Sequence, residues 1–141
     1  MRKNSLDNKV YFTIGLTLVA ISLIYIGAYA FFLKEYSAMH FILRYSFIYF
    51  LIARPVFYTA LFAVITRIII LRPFLTLPTG YIRFARCLFA ILILLYILLM
   101  IQFFFVVFPL IPFNIDFYLT FDSPILYILI GIFSSLSIST R

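Results

Sequence analysis

The sequence predicts an all-α integral membrane protein, four transmembrane helices packed as a small bundle. Three observations carry that expectation. The composition is 67% hydrophobic and 11% charged, with a mean hydropathy of +1.22, against about 45–50% apolar and about 25% charged in soluble domains. The apolar residues gather into runs near the length of a bilayer-crossing helix, which takes about 20 residues. The connections between runs are short, and 141 residues hold about four such units with little to spare. The chain is therefore read as one transmembrane domain over 1–141, with spans at 10–33, 45–70, 87–108 and 124–140 and no internal repeat.

The first span follows a polar, basic segment, MRKNSLDNK, and is closed by Lys34 and Glu35. A cleaved signal peptide is the competing reading, because Ala28-Tyr29-Ala30 has the small-x-small form of a cleavage site. The apolar core over 10–26 exceeds the roughly 7–15 residues of a signal-peptide core, so an uncleaved anchor is expected. Gly15, Ser22, Gly27 and Ala30 supply small surfaces that let a neighbouring helix approach. Residues 34–44 should lie in the headgroup layer, with Tyr36 and His40 at the surface.

The second span, YSFIYFLIARPVFYTALFAVIT over 45–66 with an apolar extension to 70, carries Arg54 and Pro55 near its middle. Arg54 stands ten residues from Arg44, about 15 Å along a helix and so deep in the hydrocarbon. An arginine there costs about 2.5–3.5 kcal/mol on insertion scales. Pro55 lacks an amide proton and deprives the Leu51 carbonyl of its usual helical donor. Arg54 is expected to donate to such carbonyls, to contact Tyr58 one turn on, or to meet an acid on a partner subunit.

Residues 72–86, RPFLTLPTGYIRFAR, contain Pro73 and the turn signal Pro78-Thr79-Gly80, and are expected to lie along the interface with their rings dipped inward. Arg67, Arg72, Arg83 and Arg86 are assigned to lipid headgroups. The third span, 87–108, is apolar on every face apart from Gln102, and Pro109 and Pro112 close it. Residues 113–122 alternate aromatics with acids and suit an interfacial turn. Asp122 or Ser123 can cap the fourth span, with Pro124 at a position that tolerates proline. Gly131, Ser135 and Ser139 recur every four residues and form a small-residue contact face.

In a four-span arrangement Arg2, Lys3, Lys9, Arg67, Arg72, Arg83, Arg86 and Arg141 fall on one side, and Lys34 and Arg44 on the other. The excess of basic residues places the first side, with both termini, in the cytoplasm or the mitochondrial matrix. The expected location is a bacterial or mitochondrial inner membrane.

Composition also narrows function. The net charge of +7 is scattered at the edges of apolar runs instead of gathered on a polar face, which points to anionic lipid and away from nucleic acid. Cys87 is the lone cysteine, which excludes an internal disulfide and a cysteine-based metal cluster. His40, the single histidine, has no second strong ligand near it, and no metal or cofactor is expected. Asp116 and Asp122 lack the nucleophile or second base that acid–base chemistry needs, and no G-x-S-x-G, H-E-x-x-H or phosphate-binding glycine loop occurs. By elimination the chain is read as a non-catalytic membrane subunit or partner-binding protein, associating with other subunits or with itself through Arg54, Pro55, Tyr58 and the Gly131–Ser135–Ser139 face. The alternatives are a small oligomeric channel or carrier using Arg54, and a membrane immunity or exclusion protein.

Overall fold

The computed structural model describes residues 2–36, 43–71, 78–107 and 123–138. Among these residues every regular element is helical. Helix α1 (Arg2–Ala28) runs without interruption into a π-helical turn, π1 (Tyr29–Leu33). A second rod is built from α2 (Leu43–Ile48), a π-helical turn π2 (Tyr49–Ala53) and α3 (Arg54–Ile70). Helix α4 covers Thr79–Val107 and α5 covers Ile125–Ile138. Three apolar stretches, Asn8–Tyr36, Tyr45–Ile70 and Thr79–Ile101, are long and apolar enough to cross a membrane. Helix α5 has 14 residues, about 21 Å of rise against about 30 Å of hydrocarbon.

Helix α4 begins eight residues before the expected start of the third span, so Tyr81, Arg83, Phe84 and Arg86 belong to its first turns instead of a separate interfacial segment. The Tyr81 amide donates to the Pro78 carbonyl at 3.0 Å, starting the helix directly behind the proline. Ile82, Ala85 and Leu92 are buried on one stripe while Arg83, Phe84, Arg86 and Cys87 are exposed between them. That spacing is helical, and the stripe continues across the boundary expected at Cys87. Residues 72–77 of the expected interfacial segment lie outside the described residues. At α5 the Ile125 amide donates to Ser123 Oγ at 3.4 Å and the Ile128 amide to the Pro124 carbonyl at 3.0 Å. Ser123 thus caps the helix that Pro124 opens.

The helices pack in the order α1, α3, α5, α4. Helix α1 is antiparallel to the second rod: Asn8 meets Arg67 at one end and Tyr29 meets Ser46 at the other. Helices α3 and α5 run in the same direction, since Thr59 meets Tyr127 and Ala63 meets Gly131. Helix α4 returns antiparallel to α5, with Tyr96 against Tyr127 and Arg86 against Ser137. Asn8, Arg67, Arg86 and Ser137 therefore share one end of the molecule.

The core is thin and mixes small side chains with large ones: Ala53, Ala60, Ala63, Ala85, Ser22 and Ser135 are buried beside Leu51, Leu92, Tyr127 and Ile130. Other large apolar residues sit outside, with Phe31, Phe32 and Ile24 exposed by 79%, 74% and 72%. In water such an exterior would drive association, whereas in hydrocarbon it carries no such penalty and helices associate through close packing of small residues. Exposed hydroxyls are satisfied within the helix, as where Thr13 and Thr17 donate to the Lys9 and Thr13 carbonyls at 2.9 and 2.8 Å. That back-bonding suits a surface without water.

Of the glycines, Gly131 has the closest backbone neighbours: an added methyl would collide with the backbone oxygen of Thr59 and lie 3.1 Å from the Ala63 nitrogen. Backbone atoms cannot move aside as a side-chain tip can. Gly131→Ala should therefore lower stability by about 1–3 kcal/mol, the range for overpacking. Gly27→Ala, where a methyl meets nothing within 4 Å, should instead raise it by about 0.5–1 kcal/mol, the helix-propensity gain of alanine over glycine. Unfolding in detergent mixtures followed by circular dichroism measures both.

Candidate functional site

Two features meet around Pro55: a cluster of tyrosines and Arg54 on the π-helical turns, and an apolar groove on the adjoining face. The cluster follows from the widened turns. In π2 the Arg54 amide donates to the Tyr49 carbonyl, and in π1 the Lys34 amide donates to the Tyr29 carbonyl, the i-to-i+5 pattern of a π turn. In a regular α-helix the Pro55 ring would press on the Leu51 carbonyl. A wider turn immediately before the proline relieves that clash. It also places residues five apart above one another, so the Arg54 guanidinium lies over the Tyr49 ring, 5.9 Å from its centroid.

Tyr49 in turn stacks on Tyr29 of π1, with centroids 4.2 Å apart and planes 17° apart. The Tyr29 hydroxyl shares a hydrogen bond with the Ser46 hydroxyl at 2.9 Å, and the Tyr25 hydroxyl donates to the Tyr45 carbonyl at 3.1 Å. Offset-stacked rings and a cation over a ring face each contribute about 0.5–1.5 kcal/mol. The electron-rich face of Tyr49 is thus one element of what holds Arg54, which stays part-exposed. Tyr58, the ring expected to meet Arg54, is half-buried and lies edge-on to Phe57 at 5.3 Å.

The Leu51 carbonyl, deprived of a donor by Pro55, receives one from across the molecule: the Tyr96 hydroxyl of α4 donates to it at 2.8 Å. The Tyr96 ring stands edge-on to Tyr127 of α5, centroids 5.8 Å apart. The Tyr127 carbonyl accepts from Thr59 of α3 at 3.3 Å. A break in one helix is therefore tied to two others through a tyrosine.

Tyr96 and Pro55 also line the groove, a cavity of about 390 Å³ bounded by residues of α1, α3, α4 and α5, including Leu18, Ala60, Ile93 and Ile130. Its walls are apolar side chains, with the Tyr96 hydroxyl already engaged. At the end nearest the basic side, Arg67 turns inward: Nη2 donates to Asn8 Oδ1 at 2.7 Å, and the guanidinium lies 5.6 Å from the centroid of Tyr11. Arg67 belongs to the basic group expected at lipid headgroups, with Arg72, Arg83 and Arg86. Arg83 is exposed at the start of α4; Arg86 is exposed and its Nε donates to the Ser137 carbonyl at 3.0 Å; Arg72 lies outside the described residues.

Of the small-residue face, Gly131 and Ser135 are both buried within the chain, Gly131 against α3, and Ser139 lies outside the described residues. Ser135 is fully buried and its Oγ has no hydrogen-bond partner among the described residues. Among the described residues no three His, Cys, Asp or Glu side chains gather at metal-binding distance. Sequence reasoning missed Tyr29, Tyr49, Tyr96 and Asn8; the carbonyl orphaned by Pro55 was the one signal that a donor such as Tyr96 was needed. Comparison with protein families, with curated proteins and with solved structures gives no match.

The Tyr96–Leu51 bond yields a double-mutant test. Tyr96→Phe should destabilise the chain by about 1–2 kcal/mol, because the carbonyl loses its donor where no water replaces it. In a Pro55→Ala background the restored amide can serve the Leu51 carbonyl, and Tyr96→Phe should then cost less than half as much. Detergent unfolding of the four variants gives the coupling directly.

Proposed function

We propose that the chain is a non-catalytic subunit or partner-binding protein of a larger membrane complex. It crosses the bilayer four times with the Asn8–Arg67–Ser137 end in the cytoplasm or the mitochondrial matrix. The alternating helix directions and the basic residues at that end support this topology. The short α5 is the fourth crossing, packed upright between α3 and α4.

One observation carries the functional reading. Arg54 sits at mid-span, part-exposed, on a rod whose neighbouring Ile48 and Ile52 are exposed. Charged residues at that depth are costly and are usually directed toward another protein surface or a polar path. The groove gives no support to an anion path, since no charged side chain lines it and Arg54 is not on its wall. The exposed edge of Arg54 is best matched by an acidic or polar side chain on a partner's transmembrane helix, or on a second copy of this chain.

Affinity purification of the full chain in mild detergent, followed by mass spectrometry, tests the reading. Wild type should bring down a membrane companion, or a second copy, that Arg54→Leu loses by tenfold or more, a difference of about 1.4 kcal/mol, while Arg54→Lys retains most of it. Equal recovery by Arg54→Leu, with its helicity intact, refutes an association through this residue.

A further inference from the structure

We propose that the groove between α1 and α4 is a binding site for one anionic phospholipid, its acyl chain lying in the groove and its phosphate held at Arg67. The inference rests on the membrane-spanning reading above but is independent of any protein partner. Along α3 the groove is lined from Pro55 to Val64, about 14 Å of helix, close to half of the roughly 30 Å hydrocarbon thickness. It is therefore one leaflet deep, and its volume of about 390 Å³ lies in the usual range of small-molecule sites, about 300–1,000 Å³. Its apolar walls suit a hydrocarbon tail and nothing polar.

The end of the groove supplies the complementary charge. On α1 its last lining residue is Tyr11, and on α3 it is Val64; one turn further along each helix stand Asn8 and Arg67, hydrogen-bonded at 2.7 Å. Tyr11 belongs to both features, lining the groove and lying under the Arg67 guanidinium. Asn8 is a neutral acceptor, so this bond and the ring beneath fix the guanidinium without neutralising it. A positive group is thus held where a tail in the groove would place its phosphate, and a planar guanidinium recognises phosphate well. Lys9, exposed beside Asn8, adds to the attraction for an anionic headgroup.

The full chain is reconstituted into vesicles of phosphatidylcholine with a minor fraction of phosphatidylglycerol, extracted in mild detergent and examined by native mass spectrometry. Flotation with the vesicles reports the membrane reading separately from the site. Wild type should retain one phosphatidylglycerol with about fivefold preference over phosphatidylcholine, the effect of one basic residue near a membrane phosphate. Arg67→Gln should lose that preference yet still retain a lipid, and Ala60→Phe, which fills the groove, should retain neither. Ala60→Leu serves as the milder filling if the phenylalanine variant loses its helicity. Retention of the preference by Arg67→Gln, or undiminished lipid in both filled variants, overturns the proposal. So does wild type that floats with the vesicles but carries no stoichiometric phospholipid, or that carries a free fatty acid in its place.

Discussion

The arrangement depends on how one backbone carbonyl is satisfied away from water. Pro55 interrupts the hydrogen-bond ladder of the second rod, and in hydrocarbon an unpaired carbonyl costs several kcal/mol. The chain responds twice, by opening the preceding turn into π2 and by bringing the Tyr96 hydroxyl to Leu51. Because Tyr96 belongs to α4 and packs on Tyr127 of α5, meeting that local need fixes the position of two further helices. The groove then exists because α1 and α4 flank the floor that α3 and α5 make.

The rest of the packing follows the logic of a chain whose solvent is apolar. Burying a large side chain yields little when the alternative is lipid, so burial of apolar area alone does not hold such helices together. What remains is closeness, and closeness needs Gly131 beside Ala63 at the α3–α5 contact and Gly15 where α1 passes Val64. Polar side chains are settled locally, as where Ser134 and Ser137 donate to the carbonyls of Gly131 and Ser134 at 2.8 and 2.7 Å. Ser135, fully buried among them, departs from this pattern.

Local features were legible in the sequence and relational ones were not. Hydropathy located the helical stretches, and the cap at Ser123 with Pro124 behind it could be read from two residues. The loss of a donor to Leu51 followed from Pro55 alone. Nothing in the sequence, however, says which of eleven tyrosines supplies the replacement, because Tyr96 is 45 residues away. The α-helical spacing that relates Arg54 to Tyr58 holds within α3; what the sequence did not show is the π turn before Arg54, which puts Tyr49 beneath it. The start of α4 at Thr79 was obscured by proline and glycine signals that a helix N-terminus tolerates as readily as a turn does. The contacts of Arg67 with Asn8 and Tyr11 were not legible because those residues lie on another helix.

The shared direction of α3 and α5 has an electrostatic consequence. Helices lying side by side in the same sense set their macrodipoles parallel, with partial negative charge accumulating at both carboxyl ends. Those ends are where Arg67, in the last turn of α3, and Arg86, whose Nε reaches the Ser137 carbonyl of α5, stand. The cations gathered at this end of the molecule thus offset the mutual repulsion of its two most closely packed helices.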